Sequence, residues 1–133
     1  MGVLLDTSFL IDLLRSHAPA QRLLARLEGA NEALLLSSPV VYELLAGVRH
    51  RGSRSDLVKV ETFLNDFPSV DFDLSSARRG AEVRAENHRT GRPVGVVDVM
   101  LAGIALAHKH SIVSRDQGLE EISTLFGFRV TSY

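Results

Sequence analysis

The strongest constraint on what this chain can fold into is a set of short apolar runs that do not alternate with polar residues. They cover residues 2–6, 33–36 and 112–114; two further short strands, over 70–73 and 128–130, carry polar residues between their apolar ones. A strand with one wet face alternates, whereas an unbroken apolar run suits a strand buried on both faces. Between the runs lie longer segments whose apolar residues recur at helical spacing. Such strands, separated by helices, imply an α/β fold: a central, mainly parallel sheet of about five strands covered by helices. At 133 residues the chain suits one domain, over 1–133, with its own core.

The helical segments carry start and stop signals. Phe9, Leu10, Leu13 and Leu14 share one face of a first helix, with Thr7 or Ser8 as its cap. Pro19 opens a second helix and Gly29 ends it. Ser38 and Pro39 read as a cap and a first-turn proline ahead of VVYELLAGV. A further helix covers about 56–64. Ser75 begins a long one to about residue 87, with Ala77, Ala81 and Ala85 at four-residue spacing, before Gly91 and Pro93 break it. An alanine-rich helix over about 97–108 has side chains small enough for close packing, and a short helix covers 118–123.

Four acids abut the apolar segments. Asp6 ends VLLD, Glu43 lies within SPVVYELLAG, Asp98 interrupts VGVVDVMLAGIALA, and Asp116 follows SIVSR. A carboxylate beside a core is unfavourable unless something compensates it. No lysine or arginine pattern supplies four partners. In an open parallel sheet, ligands gather beyond the carboxyl ends of the strands. Asp6 and Asp116 follow the first and fourth strands, and Glu43 and Asp98 lie near the starts of helices able to face the same edge. Hard divalent cations take oxygen ligands, so these four acids suit one ion or two, or an ion plus a carboxylate base. Such a centre suits phosphodiester hydrolysis. Ser114 is placed to hydrogen-bond the acids, and Arg115 to meet a phosphate or balance their charge. Each acid also has a plainer role open to it. Asp6 and Asp116 suit helix caps, Glu43 a solvated helix face, and Asp98 the positive end of a helix dipole.

The net charge of −1 argues against a general, strong nucleic-acid binder but leaves a nuclease open. Arg49, Arg51 and Arg54 form one candidate cluster for contact with a nucleic-acid phosphate backbone, and Arg78, Arg79 and Arg84 a second; both also suit solvated surface. The chain has no cysteine, which removes disulfides, thiolate nucleophiles and cysteine-held zinc, and fits a reducing compartment. The first apolar run is broken by Asp6 and Asp12, and the longest, over 94–107, contains Asp98 and is too short to span a bilayer. The expectation is a cytoplasmic protein without signal peptide or membrane segment. HExxH, GxxxxGK[ST] and GxSxG patterns are absent.

In their order, the four acidic segments resemble the PIN-domain ribonucleases, in particular the VapC-like toxins of prokaryotic toxin–antitoxin pairs. VLLDTSFLIDLL matches the opening strand, Asp and small hydroxyl of that family at Asp6 and Ser8. SSPVVYELLAG matches its E-L dipeptide at Glu43. VVDVMLAGIALAHKH matches its acid before a small-residue helix at Asp98, and SIVSRDQGL its final motif at Ser114 and Asp116. Met100-Leu101-Ala102 stands where Ile-Ala-Ala is common, and Gly118-Leu119 where Asp-Phe is frequent; neither departure removes an acid. The resemblance covers essentially the whole chain. It implies a PIN fold, an Mg2+- or Mn2+-dependent endoribonuclease, and a toxin that stops translation by cutting structured RNA. It also implies a small antitoxin partner, a homodimer, and contact with promoter DNA only indirectly, through the antitoxin. The apolar surfaces around Leu13 and Leu24, and of the helix after Ser38, are candidate partner contacts as well as candidate core.

Two other classes remain open on the sequence. A non-catalytic RNA-binding module would bind RNA in a salt-dependent way without cutting it. A metal-dependent phosphatase would hydrolyse phosphomonoesters and leave RNA intact.

Overall fold

The computed structural model describes residues 1–92 and 94–133. Its strands are β1 (Val3–Leu5), β2 (Leu34–Ser37), β3 (Ser69–Val70), β4 (Ser111–Val113) and β5 (Val130–Thr131). They form one five-stranded sheet in the order β3-β2-β1-β4-β5, with every pairing parallel. The helices are α1 (Thr7–Leu14), α2 (Ala18–Gly29), α3 (Ser38–Arg51), α4 (Arg54–Leu64), α5 (Leu74–Thr90), α6 (Val96–His108) and α7 (Gln117–Phe126). The α/β architecture expected from the apolar runs is therefore the one observed.

The central strand explains its own sequence. Val3, Leu4 and Leu5 are all buried, because β1 has a neighbour on each edge and helices on each face. Strand order runs outward from β1 to β2 and β3 on one side, and to β4 and β5 on the other. The switch point thus lies between β1 and β4, where parallel sheets open a crevice at their carboxyl ends. Asp6 directly follows β1, and Ser114 directly follows β4.

The edge strands are shorter than the spans read from the sequence. β3 and β5 are two residues each and pair through Leu36 with Ser69 and Ile112 with Val130. Beyond β3 the ladder ends: the Phe72 N–H donates to the Ser38 hydroxyl instead. Several helix caps also lie off the positions read from the sequence. Asp6, not Thr7 or Ser8, caps α1, and Ser37, not Ser38, caps α3 by accepting from the Val40 N–H. α5 starts at Leu74 under the Asp73 cap and ends at Gly91 with φ 71°; Pro93 lies outside the described residues.

α5 and α6 pack closely, as the small side chains of α6 anticipate. The contact face of α5 is not its alanine row but Ser76, Gly80, Val83 and Asn87, which are buried. Gly103 of α6 meets that face so closely that a Cβ would stand 2.4 Å from the Ser76 carbonyl oxygen. Asp73 also faces His108 Nε2 at 2.8 Å, tying the start of α5 to the end of α6. No helix among the described residues is long and apolar enough to cross a membrane.

Candidate active site

Asp6 occupies the centre of the crevice because β1 delivers it there. It is 3% exposed, and each of its oxygens is engaged. Oδ1 accepts from the Thr7 N–H at 2.8 Å, which caps α1. Oδ2 accepts from the Ser114 hydroxyl at 2.6 Å and the Ser8 hydroxyl at 3.1 Å. Burial pushes its pKa above the usual carboxylate value, against these hydrogen bonds, and the charge of Asp116 adds to the rise.

Ser114 is fully buried and links two acids. It donates to Asp6 and accepts from the Asp116 N–H at 3.0 Å. Asp116 in turn caps α7, its Oδ1 accepting from Gly118 and Leu119 N–H groups at 2.7 and 3.3 Å. The plainer cap roles open to Asp6 and Asp116 are thus both filled, and filling them also aims the two side chains at one crevice.

Asp98 lies in the first turn of α6 and is half-buried. Its carboxyl is pushed up to about 7, first by burial and then by the charges of Asp6, Asp116 and Glu43. That shift is the electrostatic signature of a shared site: three negative groups act on a fourth, and no cation offsets them fully. Glu43 lies on the exposed side of α3. The four acids line one open pocket of about 260 Å3, together with Ser8, Ile11, Gly95, Val97 and Arg115.

Among the described residues, however, no three carboxylates or imidazoles stand close enough together to form a ready metal-ligand set.

The basic residues separate into groups. Arg115 lies at the pocket, but its guanidinium turns to Asp12: Nε donates to Oδ2 at 2.8 Å and Nη2 to Oδ1 at 3.5 Å. Burial disfavours the Asp12 charge, yet the hydrogen bonds from Arg115 and Tyr133 hold its carboxyl below the usual value. Arg51 lies in a neighbouring groove between α1, α3 and α4, floored by Ile11, Leu14, Leu44, Val48 and Val60. Ile11 borders both the groove and the acidic pocket. Arg49 and Arg54 line neither. Leu13 and Leu24 pack against the core.

Asp12 and Tyr133 escaped the sequence reading of the site. Asp12 carried a signal: it sits three residues after buried Phe9, on the inner stripe of α1, and its partner is not the nearby Arg15 but Arg115. Tyr133 carried none, because its partner lies 121 residues away.

Replacing Ser114 by Ala is expected to destabilise the protein by about 1–3 kcal/mol, the usual penalty for stranding buried polar groups. The Asp116 N–H and Asp6 Oδ2 each lose a partner. Urea unfolding would measure this, and a loss under about 0.5 kcal/mol would mean that water replaces the hydroxyl freely.

The PIN domain family pattern matches residues 3–125. Ribonuclease VapC19 of Mycobacterium tuberculosis is 34% identical over 106 residues, covering 77% of this chain and 79% of that protein. The tRNA(fMet)-specific endonuclease VapC of Shigella flexneri is 29% identical over 114 residues, 85% of each chain. In structure, DNA-bound VapBC from Salmonella typhimurium superposes with a TM-score of 0.82 at 27% identity, over 99% of this chain and 98% of that one. A match across nearly the whole chain, in sequence pattern and in fold, places this protein in the PIN domain family as a VapC-like member.

Proposed function

We propose that this protein is a divalent-metal-dependent endoribonuclease and the toxin of a toxin–antitoxin pair. The carrying observation is the common pocket of Asp6, Glu43, Asp98 and Asp116 at the sheet's switch point, with Asp98 pushed up to about 7 by burial and then by the charges of the other three. Accumulated carboxylate charge and all-oxygen donors suit Mg2+ or Mn2+. The four acids would hold the ion, which supplies charge stabilisation at the phosphoryl oxygens and activation of water.

The chain's own residues have separable tasks in this reading. Ser114 and Ser8 orient the Asp6 carboxylate, and Ser114 fixes the Asp116 backbone. Asp98, whose carboxyl is raised in the metal-free protein by burial and by the other acids, is a group whose ionisation a bound cation would favour. Arg115 faces substrate at the rim, and Arg51 flanks the approach along α3, with Arg49 and Arg54 beyond it.

The groove between α1, α3 and α4 suits an amphipathic segment of the antitoxin. Its floor is apolar, and Arg15, Arg51, Asp56 and Lys59 border it. Because Ile11 belongs to groove and pocket alike, a bound segment leads straight to the acids. A second copy of the chain fits the apolar patch of Pro39, Tyr42, Val96 and Met100, where Tyr42 is 71% exposed and Val96 60%. DNA contact comes through the antitoxin.

The test is cleavage of total cellular RNA by purified, antitoxin-free protein. Discrete products are expected with Mg2+ or Mn2+, and none with chelator or with Asp6→Asn. RNA left intact by folded protein that binds the ion would overturn the nuclease reading. A non-catalytic RNA-binding module would then stand, with the lack of a three-ligand set among the described residues in its favour.

A further inference from the structure

Arg115 is the cation nearest the acids in sequence, next to Asp116, yet its guanidinium is drawn away from them. Asp12, only 8% exposed, takes both its Nε–H and one Nη2–H. Asp12 Oδ2 also accepts from the Tyr133 hydroxyl at 2.5 Å. The Tyr133 ring meets buried Phe9 edge-on, with centroids 5.3 Å apart and planes at 72°. Three parts of the fold therefore converge on one side chain: α1, the loop after β4, and the segment after β5.

This arrangement has a directional consequence. With Nε and Nη2 turned to Asp12 and Tyr133 beside them, the outer edge of the guanidinium, one N–H each of Nη1 and Nη2, makes no hydrogen bond among the described residues. Arg115 keeps 53% of its side chain exposed while its stem is pinned. A guanidinium fork fixed on one edge presents the other edge as a pre-oriented donor pair for a phosphate. A pocket of four carboxylates repels a phosphodiester chain, so a fixed cation at its rim lowers that barrier.

We propose that Asp12 and Tyr133 are positioning residues that hold Arg115 as the binding contact for a substrate phosphate next to the cleaved one. This rests on the nuclease reading and adds to it a three-residue relay and a substrate subsite.

The experiment measures binding of a short single-stranded RNA in chelator, where nothing is cut, over a range of salt, and then KM and kcat with Mn2+. Arg115→Ala, Asp12→Asn and Tyr133→Phe are each expected to weaken binding and raise KM by roughly three- to tenfold, the worth of one hydrogen bond. Their kcat should stay near that of the unmodified protein. Arg115→Ala should also reduce the salt slope by about 0.7, one phosphate contact on a single strand. The double variant Asp12→Asn/Arg115→Ala should be no weaker than Arg115→Ala alone, because both remove the same contact. Tyr133→Phe keeps the ring against Phe9, so it separates positioning from folding.

Arg115→Ala with unchanged RNA affinity and salt slope, in a protein that still cuts RNA, would overturn this proposal and leave the nuclease reading intact. So would additive losses in the double variant. Weakened antitoxin binding beside unchanged RNA binding would overturn it in favour of a protein contact. Protein that neither binds nor cuts RNA would bring down both.

Discussion

Asp98→Asn is expected to abolish RNA cleavage while making the metal-free protein more stable at neutral pH. Loss of a positioned charge-stabilising or proton-handling group lowers rates by roughly 10²–10⁴-fold. The stability gain has a separate origin. In the folded protein the Asp98 carboxyl is pushed up from 3.8 to about 7, by burial and then by Asp6, Asp116 and Glu43. Between pH 4 and 7 the native state therefore keeps a proton that the unfolded chain has released. Stability falls as pH rises through that window, and above about pH 7 the full cost of ionising Asp98 is present. Asp6, also raised, acts in the same direction. Thermal unfolding in chelator from pH 5 to 8 should show a falling midpoint for the unmodified protein and a flatter profile for Asp98→Asn. Mn2+ should raise the midpoint of the former and leave the variant nearly unmoved. Equal pH profiles would mean that the acids do not interact as the pocket implies.

Gly103→Ala is expected to be the most damaging single-methyl change in the protein. Its Cβ would stand 2.4 Å from the Ser76 carbonyl oxygen, 2.9 Å from the Gly80 nitrogen and 3.0 Å from the Gly80 Cα. All three are backbone atoms of α5, so no side chain can swing aside. The helices must separate, at about 1–3 kcal/mol or more. Gly29→Ala is the control, since nothing lies within 4 Å of its Cβ position at the end of α2. There, alanine should be neutral or stabilising by about 0.5–1 kcal/mol. Denaturant midpoints of the two variants would settle the matter; similar midpoints would mean that the α5–α6 contact yields easily. Because α6 carries Asp98 in its first turn, Gly103→Ala should also disturb the pocket.

Much of this fold was legible as burial. An apolar residue at every position of residues 3–5 marks a strand covered on both faces, and β1 is that strand. The Asp98 anomaly was legible for the same reason: a carboxylate among Val97, Val99 and Met100 needs an explanation. Caps were legible in chemistry but not in position. Ser37 and Ser38 both carry a hydroxyl, and which one caps α3 depends on where the backbone leaves the extended region, at Ser37 with ψ 148°. The α5 face that meets α6 was not marked in the sequence: small size permits close packing without requiring it, so Ala81 and Ala85 face solvent while Gly80 meets α6.

What the amino-acid order determined alone was periodicity, and through it which residues are buried, which segments are helix or strand, and which acids stand in unfavourable surroundings. These are local properties, set within a few residues by side-chain size, polarity and backbone preference. Strand order is not local. Only the tertiary structure placed β4 beside β1, and so brought Ser114 onto Asp6 across 108 residues and Tyr133 onto Asp12 across 121. Those contacts depend on which strand edges pair, a choice made by the packing of the whole sheet against its helices.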